Sequence, residues 1–143
     1  MTASGSTGPP RAGPTTWFCF HCYGRNPRPT GRCQQCGDPI EPPHQLSYDE
    51  RLIWALDHPL PGTAIIAARV LGFRRTAAAA EPLRRAVAAQ RDPYLAAEAL
   101  RALVAVEGIQ ATRPLLRQLA AEGPLLLRRV ARGELLGARW PIA

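Results

Sequence analysis

The chain has 143 residues, 46% of them hydrophobic and 20% charged, with a formal net charge of +7 carried by 18 basic residues that are all arginine. That length holds one modest domain plus a small module stabilised by something other than an apolar core, and no apolar run approaches the roughly 20 residues needed to span a bilayer. The positive balance is compatible with an acidic partner, either nucleic acid or an anionic protein surface.

Residues 1–16, MTASGSTGPPRAGPTT, are built largely from Gly, Pro, Ser and Thr. Such a segment buries too little apolar surface to order itself and is expected to be a flexible tail. It lacks the charged and apolar regions of a signal peptide, and with reduced thiols this points to a cytoplasmic protein.

Every cysteine lies in residues 17–37, WFCFHCYGRNPRPTGRCQQCG. Cys19 and Cys22 form one Cys-x-x-Cys pair, Cys33 and Cys36 another, with ten residues between Cys22 and Cys33. A two-residue gap lets both sulfurs of a pair face one point, and four thiolates at about 2.3 Å complete a tetrahedral zinc shell. Such a closed shell leaves no position for water, so one structural Zn²⁺ is expected rather than hydrolytic chemistry. A redox-active disulfide is the competing reading of a single Cys-x-x-Cys, but two pairs in so short a segment favour metal. His21 between the first two cysteines is expected outside the ligand set. Gly37 suits a tight turn that aims N–H groups at sulfur, and Gly24 is expected to act similarly.

Trp17, Cys19, Cys22, Asn26, Cys33 and Cys36 reproduce W-x-C-x2-C-x3-N-x6-C-x2-C. This resembles the zinc finger of the Ran-binding-protein-2 type, a family whose finger is two small crossed β-hairpins. The resemblance implies that Trp17 is a packing residue and Asn26 a hydrogen-bonded brace between hairpins. Ubiquitin-binding members carry Thr-Phe after the second cysteine, where this chain has Tyr23 and Gly24. RNA-binding members place an aromatic after the asparagine, where this chain has Pro27. Phe18, Phe20, Tyr23, Arg25, Arg28 and Arg32 remain as candidate partner or RNA contacts, the aromatics by stacking.

Residues 38–46, DPIEPPHQL, read as a stiff proline-rich linker. A helical domain is expected over 47–143. Ser47 with Glu50 is a capping-box signature for a first helix, with Leu52, Ile53 and Leu56 on its apolar face and His58-Pro59 as its stop. Thr63 is expected to cap a second helix running to Gly72, with Ile66 and Val70 on one face. A third runs from Thr76 to Gln90 or starts at Pro82. Asp92-Pro93 opens a fourth that ends at Gly108, a fifth covers about 110–122, and a sixth runs from Pro124 to about Ala138.

These helices repeat. Ala67, Ala99 and Ala131 recur every 32 residues, as do Leu71, Leu103 and Leu135, and the pairs Pro61/Pro93, Pro82/Pro114, Leu83/Leu115 and Val87/Leu119 keep the same offset. A period of that length in paired helices predicts a short α-solenoid of three helix pairs, so the chain is read as mainly α with a small β-hairpin finger in front. The phrases AARVLG, EPLRRAV and DPYLAAEALRAL resemble HEAT-like repeats of the kind found in phycobilin lyase subunits.

The expected function is a non-enzymatic adaptor that binds protein partners through finger and repeats, with Arg69, Arg101 and Arg132 as a candidate anion-binding row. Single-stranded RNA binding through the finger is one alternative and a lyase-like accessory subunit another. No nucleophile elbow, phosphate loop or open metal triad is legible. Leu125, Leu126, Leu127, Val130, Leu135 and Leu136 give the last helix more apolar surface than a terminal cap needs, which predicts a partner or a second copy at that end.

Overall fold

The computed structural model describes residues 16–137; nearly all of the expected tail, and Ala138 at the expected end of the sixth helix, lie outside the described residues. The chain divides into two compact units, residues 1–44 and 45–143. Among the described residues no helix is long and apolar enough to cross a membrane.

The first unit is built on minimal regular structure. Strands β1 (Trp17–Phe18) and β2 (Arg25–Asn26) pair antiparallel, Trp17 opposite Asn26 and Phe18 opposite Arg25. A second arch closes through a bridge between Arg32 and Pro39. Cys19, Cys33 and Ile40 form its buried core. The Ile40 N–H donates to the Gly31 carbonyl at 3.0 Å, and the Ile40 carbonyl accepts from Phe20 at 3.0 Å, so the finger's fold continues into the stretch read as linker.

The second unit begins with α1 (Tyr48–Ala55). The Ser47 hydroxyl accepts the Glu50 N–H at 3.1 Å, and the Glu50 carboxylate accepts the Ser47 N–H at 2.6 Å, the reciprocal cap expected from S-x-x-E. Helix α2 (Pro61–Arg74) departs from expectation at both ends. Thr63 is not its cap: Leu60 holds that position and Pro61 opens the first turn, where a missing N–H leaves no bond unmade. At the other end α2 runs past Gly72, and Arg75 takes the left-handed capping conformation at φ 50°. The expected apolar face is also corrected, since Ile66 is exposed and Val70 half-buried, while Ala64, Ala67, Ala68 and Leu71 face the core.

A 3-10 turn at Ala77–Ala79 precedes α3 (Ala80–Ala89), which places Pro82 within the first turn rather than at the start. Helix α4 (Pro93–Glu107) is capped by Asp92, whose carboxylate accepts the Tyr94 and Leu95 N–H groups, both at 2.9 Å. Helices α5 (Ile109–Glu122) and α6 (Leu125–Leu135) complete the unit, with Pro114 inside α5.

Helix α4 organises the packing. It buries Leu95, Ala96, Ala97, Ala99, Leu100, Ala102 and Leu103 and packs against α2, α3, α5 and α6. Each odd helix lies on its successor, α1 on α2, α3 on α4 and α5 on α6, while α2, α4 and α6 are neighbours in chain order. The recurrent alanines Ala67, Ala99 and Ala131 are all buried along that row. Small side chains there let backbones approach. Gly72 is the extreme case: a Cβ on it would lie 2.9 Å from the Cα of Ala102 in α4. In α6, Leu127 and Val130 are buried, Leu126 and Leu135 pack half-buried against the core, and only Leu125 and Leu136 of the six expected apolar residues stand exposed.

A polar brace, unforeseen in the sequence, ties the end of α1 to the loop before α4. One Arg91 guanidinium donates to the carbonyls of Asp57, Leu56 and His58 at 2.9, 3.0 and 3.2 Å. His58 is buried beside it, its Nδ1 accepting the Leu60 N–H at 3.1 Å and its ring edge-on to Trp54. Burial, and then the Arg91 charge, hold the His58 pKa below its ordinary value of 6.5.

Two outcomes follow. Replacing Gly72 with Ala should lower stability in urea by about 1–3 kcal/mol through overpacking on α4, despite the gain of up to about 1 kcal/mol in helix propensity. The unfolded chain takes up a proton near pH 6.5 that folded His58 resists, so this group's contribution is present above that pH and is lost as pH falls toward the lower folded value. Urea titrations between pH 8 and 5 should show that loss, and a His58→Asn variant should have a flatter profile over the same window.

Candidate metal centre

Two backbone turns of the same design bring the cysteines together. The Cys19 N–H donates to the Gly24 carbonyl at 2.9 Å and the Tyr23 N–H returns to the Cys19 carbonyl at 3.0 Å. Fourteen residues later the Cys33 N–H donates to Asp38 at 2.8 Å and the Gly37 N–H to Cys33 at 3.0 Å. Matching positions in the two turns are left-handed, Tyr23 at φ 61° and Gly37 at φ 78°. Gly24 therefore does not supply the left-handed turn residue. It donates its N–H to the Cys22 sulfur at 3.3 Å and leaves room, because a Cβ there would meet the Gln35 side-chain oxygen at 2.5 Å.

All four Sγ atoms lie within 4.8 Å of one another. The cross-turn pairs Cys19–Cys36 and Cys22–Cys33 are each 3.7 Å apart. That is far beyond a disulfide bond of about 2.05 Å and close to the edge of about 3.8 Å that follows from a tetrahedron with 2.3 Å metal–sulfur bonds. Donor type, number and spacing all fit one metal ion.

The surrounding donors orient the sulfurs. Backbone N–H groups of His21 and Gln35 reach Cys19 and Cys33 at 3.3 and 3.4 Å. His21 itself is exposed, stacks edge-on against Phe20 and lies outside the ligand cluster. Asn26 is buried between the turns. Its amide donates to the Gly24 carbonyl at 2.9 Å and to the Cys33 sulfur at 3.4 Å, while its oxygen accepts the Gln34 N–H at 3.0 Å.

These contacts separate the thiols electrostatically. N–H donors from Cys36, the Asn26 amide and Gln35 draw Cys33 down to about 6. Cys36 goes the other way: the Asp38 N–H favours its thiolate, but desolvation and the nearby Cys22, Cys19 and Cys33 sulfurs push it up to about 12. At Cys22 the Gly24 N–H lowers the pKa, while desolvation and the Cys33 and Cys19 sulfurs raise it above its ordinary value. Cys33 forms its thiolate readily while Cys22 and Cys36 resist, as expected of acids crowded around one point. A divalent cation at that point would supply the missing charge.

The other candidate residues are placed as follows. Trp17, Phe18, Phe20 and Tyr23 are half-buried around the turns, and Arg25, Arg28 and Arg32 are exposed. Arg32 donates to the Gly37 carbonyl at 2.9 Å and, with Arg28, borders a groove of about 380 Å³. On the helical unit, exposed Arg69 makes a two-point contact with Glu98 at 3.3 Å, and half-buried Arg101 approaches the same carboxylate at 3.6 Å. Arg132 is exposed in the last turn of α6. Comparison of the chain with protein-family models, with curated proteins and with solved structures gives no match.

Asn26→Ala should keep all four sulfurs yet strand the Gln34 N–H and release Cys33. A loss of about 10–100-fold in metal affinity is expected, measured by competition with a chromophoric chelator, with helical circular dichroism unchanged.

Proposed function

We propose that the chain is a zinc-dependent, non-enzymatic adaptor of the cytoplasm, in which a Ran-binding-protein-2-type finger precedes a short HEAT-like stack. The observation that carries this reading is the closed set of four sulfurs within 4.8 Å. Four thiolates favour zinc by softness and tetrahedral geometry, and a filled shell makes the ion a structural element whose product is a shaped surface. The order of helix contacts, pairs joined through α2, α4 and α6, supports the stacked-hairpin reading.

The partner surface on the helices is best supported on the outer side of α2. Ile66 and Phe73 lie two turns apart, 60% and 67% exposed, on either side of Arg69. Apolar side chains flanking a paired charge suit a protein ligand, since Glu98 already neutralises much of the arginine field there. Single-stranded RNA is the second reading, favoured by Arg25, Arg28 and Arg32 standing exposed on one finger.

The test is capture of partners from the source cell by three forms: the zinc-loaded chain, a Cys33→Ser/Cys36→Ser variant, and an Ile66→Glu/Phe73→Glu variant. Partners should be identified and rebound as purified proteins. A specific protein that is lost with one variant and kept with the other supports the adaptor and assigns its surface. Tight, steeply salt-dependent retention of a random single-stranded RNA pool, with no protein lost in either variant, would replace it by the RNA reading.

A further inference from the structure

The 32-residue repeat gives two helix junctions that can be compared position by position: α2 on α4, and α4 on α6. The loops that lead into the first carry two ordered polar side chains. His58 is buried there, and Arg91 spans three carbonyls at the end of α1. The residues 32 positions later are Gln90, which is exposed, and Gly123, which has no side chain. The second junction is left as a groove of about 410 Å³, lined by Pro93, Tyr94, Leu125 and Leu126, with Gln90 and Arg129 as its polar members. That volume is in the range of built ligand pockets. Two of its walls, Tyr94 and Leu125, are 67% and 79% exposed.

Charge decides the occupant. The α4 residue that matches Arg129 is Ala97 and the residue that matches Arg91 is Gly123, so each junction has one arginine: Arg91, turned onto carbonyls, at the first and Arg129 at the second. Arg129 has no ion-pair partner among the described residues. A cationic visitor would be repelled, whereas a carboxylate beside an apolar side chain would satisfy guanidinium and groove together.

We propose that the α4/α6 groove docks a segment of a partner protein in which a large apolar residue stands next to Asp or Glu. The proposal rests on the adaptor reading only in taking the ligand to be protein, and it concerns a surface separate from the outer side of α2. The test uses the full chain loaded with zinc and labelled with ¹⁵N, titrated with the peptides Gly-Ser-Glu-Leu-Glu-Gly-Ser and Gly-Ser-Arg-Leu-Arg-Gly-Ser. The glutamate peptide should shift the amides of Tyr94, Leu126 and Arg129 and bind roughly tenfold tighter than the arginine peptide. Arg129→Glu, a surface change that leaves the core intact, should reverse the preference. Equal binding of the two peptides, indifference to the Arg129 change, or no shift at these amides with millimolar peptide would overturn the proposal. So would shifts of the same amides on raising protein concentration alone, which would make a second copy the occupant. None of these failures touches the Ile66/Phe73 surface, whose variants answer separately.

Discussion

Four sulfurs within 4.8 Å of one another cannot all be thiolates unless a cation shares their centre. The whole first unit hangs on that constraint. Its regular structure is one pair of two-residue strands and one bridge, and its buried apolar core is Cys19, Cys33 and Ile40. So little burial does not offset the conformational entropy of ordering some two dozen residues, each costing about 1–2 kcal/mol in backbone freedom alone. A metal ion held by the four sulfurs would make folding and coordination one event. The backbone is shaped for it: the same turn is used twice, each aiming N–H groups at sulfur, and Asn26 bolts the first turn to the second.

The helical unit solves its own problem by other means. Its row of second helices buries small residues, Ala67, Ala99 and Ala131 in turn, and Gly72 stands close against Ala102. Larger side chains fill the spaces between, with Leu71, Leu100 and Leu103 fully buried. Alanine is a strong helix former and occupies little volume, so local preference and tertiary packing ask for the same residue. This agreement lets helices of 8 to 15 residues form a dense core.

The sequence made some of this plain and concealed the rest, for definite reasons. Cysteine spacing led directly to the ligand cluster because a short Cys-x-x-Cys loop has few conformations. The caps at Ser47 and Asp92 were legible because their bonds are local. Gly72 misled because glycine signals both a helix end and a close contact; the αL cap fell on Arg75, which sequence does not mark. Ile66 misled because the core face of α2 is mostly alanine around Leu71, while Ile66 and Phe73 point outward. The left-handed Tyr23 was invisible for a similar reason, since only comparison with Gly37 in the second turn reveals what its position demands. The Arg91 brace spans more than 30 residues and follows from tertiary placement, which no local pattern encodes.

The distribution of arginine bears on what such a chain can recognise. A net charge of +7 in a small protein invites a nucleic-acid reading, yet much of the helical unit's positive charge is already engaged. Arg69 and Arg101 share Glu98, Arg74 meets Asp49, and Arg84 meets Glu107. Arg91 and Arg128 are turned onto backbone carbonyls. Among the described residues of the helical unit, Arg51, Arg75, Arg85, Arg117, Arg129 and Arg132 carry exposed charge without an ion pair. The unpaired arginines are spread over the unit from α1 to α6, and of them Arg129 borders the groove that exposed Leu125 also lines. That pairing of positive charge with exposed leucine is the basis of the acidic, partly apolar protein ligand proposed for the groove. The total charge of the chain is thus a poorer guide to its partner than the positions at which that charge is left uncompensated.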